Sequence, residues 1–149
     1  MKRREILAAG AGLALLALVR PATATPEEMA AAIKGFTGGA APKEGKVAFD
    51  IAQLIDNGNA VPVTIKVDSP MSAADHVSAI AIFNEKNPHT EVAVFTLGAR
   101  AGRAEVSTRI RLATSQRLIA IARMSDGSYW SKSVDVIVTL AACIEGEAP

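Results

Sequence analysis

The sequence predicts an all-β protein, an immunoglobulin-like antiparallel β-sandwich with a short N-terminal helix. Three observations lead there. Apolar residues recur with a two-residue period in several segments, clusters of turn-forming residues separate those segments, and no helical pattern interrupts the series. About seven strands spaced in this way suit two packed antiparallel sheets. Half of the 149 residues are hydrophobic and 21% are charged. Such a chain is too apolar for disorder and about the size of one domain with one core.

Residues 1–24 read as an export signal. Lys2, Arg3 and Arg4 form a basic head, an apolar stretch runs from Ile6 to Val19, and Ala22-Thr23-Ala24 has the small-residue form that signal peptidase accepts. A span of about fourteen apolar residues falls short of the roughly 20 that cross a bilayer, so no stable membrane anchor is expected. Arg3 and Arg4, followed by Glu5, Ile6 and Leu7, resemble a twin-arginine signal, whose pathway carries folded cargo. Cleavage before Thr25 and a periplasmic location follow from this reading. Residues 25–140 are then the sandwich domain, and residues 141–149 a C-terminal arm.

The mature chain opens with a helix. Thr25 is its N-cap, Pro26 its first helical residue, and Glu28 completes a capping box, with the helix running to about Phe36 and ending at Gly38 and Gly39. Gly45-Lys46 is not a phosphate loop, because Ala40 stands where the first glycine belongs, Val47 replaces Ser or Thr, and a strand follows. Alternation then places Val61, Val63, Ile65 and Val67 on one face. Val106, Thr108, Ile110 and Leu112 form a second inward set, with Ser107, Arg109 and Arg111 on the wet side. Val134, Val136, Val138 and Leu140 form a third. The turns fall at 56–59, 68–70, 84–89 and 125–128, and Asp126-Gly127 signals a tight hairpin.

The formal charge of +1 conceals an asymmetry. Without Lys2, Arg3, Arg4, Arg20 and Glu5, twelve basic and fourteen acidic residues remain, a net charge of about minus two. With no basic stripe and no interleaved aromatics, nucleic acid is excluded. The sequence has no G-x-S-x-G elbow and no H-E-x-x-H. His76 and His89 stand apart as surface or turn residues, Tyr129 and Trp130 read as packing, and neither a metal site nor a cofactor is expected. A blue-copper site would need His and Met close behind the cysteine, where "CIEGEAP" offers neither.

One residue resists this account. Cys143, the only cysteine, lies beyond the last apolar strand, and in an oxidising compartment it has no partner within the chain. Three extended residues beyond Leu140 place its thiol about 10 Å from the rim. An unperturbed thiol is only a few per cent ionised at neutral pH, and nearby Glu145 discourages ionisation further. Activation therefore falls to a partner protein.

The stretch from Gly38 to Leu140, "GGAAPKEGKVAFDIAQLIDNGNAVPVTIKVDSPMSAADHVSAIAIFNEKNPHTEVAVFTLGARAGRAEVSTRIRLATSQRLIAIARMSDGSYWSKSVDVIVTL", resembles SoxY, the sulfur-carrying subunit of the periplasmic thiosulfate-oxidising system. The resemblance implies an immunoglobulin-like sandwich, twin-arginine export, and a heterodimer with a SoxZ-like β subunit. It also implies a carrier that is not itself an enzyme and holds a sulfur intermediate covalently for separate sulfur-oxidation enzymes. SoxY proteins end in a Gly-Gly-Cys-Gly-Gly arm, of which Cys143 matches the cysteine alone. Ala141 and Ala142 replace the first glycines and Ile144 and Glu145 the second, as in a SoxY-related group with an AACIE arm. The replacements remove the freedom and slimness that glycine gives an arm entering a narrow tunnel. The alternative is a sandwich that serves only as an interaction module, with Cys143 vestigial or in an intermolecular disulfide.

Overall fold

The computed structural model describes residues 24–140. Within it, the predicted capping box opens the chain. The Thr25 hydroxyl accepts the Glu28 N–H at 3.2 Å, and Glu28 Oε2 accepts the Thr25 N–H at 3.0 Å. Helix α1 spans Pro26–Thr37 and stops at Gly38, whose φ of 64° suits glycine and whose N–H reaches the Lys34 carbonyl.

Nine strands follow: β1 (Lys43–Glu44), β2 (Val47–Asp50), β3 (Leu54–Ile55), β4 (Val61–Val67), β5 (Val77–Asn84), β6 (Glu91–Thr96), β7 (Glu105–Ile110), β8 (Gln116–Met124) and β9 (Tyr129–Val138). The excess over the expected seven includes β1 and β3, two-residue strands too short to show any period. Both pair in parallel with β9, Lys43 opposite Trp130 and Leu54 opposite Ile137, so the sandwich is not wholly antiparallel. The larger sheet runs β1-β9-β8-β5-β6, with β3 also on β9; the smaller runs β2-β4-β7.

The core lies between the sheets and is built from the alternation visible in sequence. Val61, Val63, Ile65 and Val67 on β4 meet Ile80, Ile82, Leu118 and Val136 from the larger sheet. Strand β5 does not alternate, because both of its faces are covered. Ile80 and Ile82 face the core, while Ala81 and Phe83 pack with Ile121 under Met29 of α1. Leu140 departs from its predicted inward position and is 52% exposed. The alternation lasts only while the chain stays in the ladder, and β9 ends at Val138. Beyond it the Leu140 backbone turns to bond Asp56 and Gly58 instead.

Candidate functional site

The end of the sandwich at which β9 stops is built from three loops, those joining β3 to β4, β5 to β6, and β7 to β8. Backbone groups bind the departing chain to the first of them. The Thr139 N–H donates to the Ile55 carbonyl at 2.9 Å, the Leu140 N–H to Asp56 at 3.2 Å, and the Gly58 N–H to the Leu140 carbonyl at 2.9 Å. Gly58 in turn accepts the Leu112 N–H at 2.9 Å, which ties in the β7–β8 loop. Ser115 Oγ accepts the Val138 N–H at 2.9 Å. The chain is therefore held in place up to Leu140, three residues before Cys143.

A buried amide network stiffens the same end. Asn84 is fully buried; its Nδ2 donates to the His89 carbonyl at 2.8 Å and its Oδ1 accepts the Asn87 N–H at 3.0 Å. Asn87 Nδ2 donates to the Arg111 carbonyl at 2.7 Å, and Asn87 Oδ1 accepts from Gln116 Nε2 at 2.7 Å and the Ala113 N–H at 2.9 Å. Gln116 Oε1 accepts the Lys86 N–H at 2.9 Å. Three side-chain amides thus fix two loops, because a buried amide is costly unless its donors and acceptors are paired. Sequence reasoning saw only turn-forming composition at 84–89. The signal it missed is Gln116, some thirty residues further on.

Beside the root lies a cleft of about 410 Å³, lined by Asp50, Ile51, Leu54, Asp56, Pro62 and Thr64 among others. Leu54 and Ile137 stand opposite each other in the parallel β3–β9 pair, so their side chains share a face. They are 61% and 60% exposed. Nearby on that face Arg117 Nε binds Asp135 Oδ1 at 3.0 Å. The hydrogen bond and the charge of Asp135 raise the Arg117 pKa further.

Cys143, Ala141, Ala142, Ile144 and Glu145, together with Arg3 and Arg4, lie outside the described residues. The histidines are not brought together: His76 precedes β5 and His89 follows it, about 25 Å apart along an eight-residue strand. His76 Nδ1 lies 3.0 Å from the Ser72 carbonyl. Tyr129 packs edge-on to Phe36 at 5.9 Å. Trp130 lies beneath Lys43 and Lys46, at 5.8 and 4.9 Å from its ring. It seals the turn at Gly45, where φ is 121° and a Cβ would come within 3.3 Å of the indole. Both aromatics are packing elements, and Gly45-Lys46 is a tight turn. Among the described residues no group of three His, Cys, Asp or Glu side chains is placed to hold a metal ion, and no helix is long and apolar enough to cross a membrane.

This architecture occurs in known proteins. The sulfur carrier protein SoxY from Chlorobium limicola f thiosulfatophilum matches at a TM-score of 0.64 and 26% identity, over 78% of this chain and all of that one. A superoxide reductase (neelaredoxin) from Ignicoccus hospitalis matches at a TM-score of 0.57 and 13% identity, covering 78% of this chain and 95% of its own. A putative superoxide reductase from Thermotoga maritima matches at 0.56 and 17%, covering 69% and 89%. At such identities the reductases share the fold alone. No curated protein matches the chain. The family model described as sulfur oxidation protein SoxY matches residues 33–143, most of the domain and its cysteine, and the chain accordingly belongs to the SoxY family.

Proposed function

We propose that this protein is a periplasmic sulfur carrier which presents Cys143 on residues 141–149 to partner enzymes and pairs with a SoxZ-like β subunit. The observation that carries this reading is the reach of the family match, which ends on Cys143 itself. The firm anchorage of Thr139 and Leu140 supports it, since a carrier thiol needs a fixed root from which to reach a client's cleft. Joining the Cys143 thiolate to an anionic sulfur of the cargo forms one S–S bond and releases two electrons. The loading partner is therefore an oxidoreductase that passes those electrons to an acceptor of its own. The carrier contributes the nucleophilic sulfur and holds the product.

Intact mass of the protein isolated from its native periplasm tests the reading. The expected result is an adduct of sulfur atoms or sulfonate on Cys143, absent in Cys143→Ser, because an alcohol cannot hold sulfur through a disulfide-like bond. A bare thiol or a plain disulfide between chains would overturn it in favour of an interaction module. Normal export with both Arg3 and Arg4 changed to Lys would remove the twin-arginine route.

A further inference from the structure

We infer that the surface around the arm root, formed by Leu54, Ile137 and Leu140 with Asp50 and Asp56 beside them, is the docking site for the enzyme that loads Cys143. The inference rests on the carrier reading above and adds where the loading enzyme binds and what its surface must contain. Geometry supplies the first reason. Cys143 follows Leu140 by three residues, which span at most about 10 Å. An enzyme that draws this thiol into a cleft must therefore rest its rim on the structure around Leu140.

The second reason is exposure. Leu54, Ile137 and Leu140 are each more than half exposed, and among the described residues the one other exposed large apolar side chain is Val94 on β6, at 43%. Clustered exposed apolar side chains mark association surfaces, and those that bury them set the affinity. The third reason is charge. The stretch 47–65 contains Asp50 and Asp56 and no Lys or Arg, and residues 141–149 contain Glu145 and Glu147 and likewise no base. Both aspartates line the cleft next to Leu54. Arg117, on the face that carries Ile137, is already bound by Asp135, and the cation nearest the cleft on the smaller sheet is Arg109, opposite Pro62. The fitting partner has an apolar rim around its cleft mouth and Lys or Arg opposite the two aspartates. A base in that position also favours the thiolate that the chemistry requires.

The test compares the full chain, with any subunit that co-purifies, against two double variants, Leu54→Ser with Ile137→Thr and Asp50→Asn with Asp56→Asn. All four positions are exposed or at the surface of the cleft, so folding is little affected. Each protein is incubated with native periplasmic extract and thiosulfate, and adduct mass on Cys143 is followed over time. A small disulfide reagent applied to Cys143 serves as the control. The apolar pair should lower enzymatic loading about ten-fold or more. The acidic pair should lower it several-fold and flatten its decline with rising salt. Labelling by the small reagent should stay unchanged, since it needs no docking. Equal enzymatic loading of all three proteins overturns the docking site while leaving the carrier intact. A changed oligomeric state, or loss of a co-purifying subunit, overturns it by assigning the surface to that contact. An unloaded native chain overturns the carrier reading and the docking site together.

Discussion

The outer face of the larger sheet has two halves that began with similar residues and met different ends. Over the central strands β5 and β8, Phe83, Ala81 and Ile121 are buried beneath α1, where Phe36 meets the Phe83 and Tyr129 rings edge-on at 5.9 Å each. Toward the arm root, Leu54 and Ile137 occupy the same face with nothing above them among the described residues. Apolar area beneath the helix stabilises the fold, whereas apolar area left open contributes little to it. The difference separates the part of the sheet that maintains the domain from the part available for a partner.

The sharpest way to break this contrast is truncation on each side. Phe83→Ala should cost about 3–5 kcal/mol, because it empties a fully buried aromatic site under α1. Ile137→Thr should change stability by no more than about 0.5 kcal/mol. Urea unfolding checks both, and equal losses would mean that the open half is covered in the isolated protein. Asn84→Ala is the next largest effect. It leaves the Asn87 N–H and the His89 carbonyl without their partner at the arm root, at a cost of about 1–3 kcal/mol. Hydrogen exchange should rise in the loops at 84–90 and 111–115 while the strands under α1 stay protected.

A smaller effect of opposite sign is expected at the end of α1. The Thr37 hydroxyl is buried with no hydrogen-bond partner. Thr37→Val keeps the shape and removes the unpaired group, and should stabilise the protein by about 1 kcal/mol. A loss in the same unfolding assay would show that the hydroxyl is in fact satisfied, for instance by water.

How much of this was legible depends on whether the cause was local. The capping box at Thr25 and Glu28 and the inward set Val61–Val67 follow from neighbours three and two residues apart, and both appear as read. Strand β5 was harder to read, since its unbroken apolar run reflects a helix some fifty residues earlier in the chain. Strands β1 and β3 are too short to carry a period. Leu140 was misplaced because the end of a ladder is set by its partners, here Asp56 and Gly58, and not by the strand's own pattern. At the site, the cysteine and the replaced glycines could be read from sequence. The rigid root could not, because Asn84, Asn87 and Gln116 converge only on folding.

The hairpin at the far end of the sandwich offers the mildest test, since it was predicted from Asp126-Gly127 and owes nothing to the arm. Gly127 takes a φ of 84°. Asp126 Oδ1 accepts the Ser128 hydroxyl at 2.6 Å and the Ser128 N–H at 2.9 Å. The side-chain hydrogen bond, then the backbone one, favour the charged carboxylate and lower its pKa below the ordinary Asp value. A group whose folded pKa is depressed contributes stability at pH values above its unfolded pKa, near 4, and loses that contribution as pH falls through the folded value. Acidification below about pH 4 should therefore loosen this turn. The exposed site keeps the effect small. The Ser128 amide resonance should titrate with a midpoint below that of free Asp, and the shift should vanish in Asp126→Asn, which can still accept a hydrogen bond but carries no charge to lose. At neutral pH that variant should leave loading of Cys143 unchanged, because the turn and the arm root lie at opposite ends of β8 and β9. A loading defect in Asp126→Asn would mean that the two ends of the sandwich are coupled, and that the arm root does not act alone.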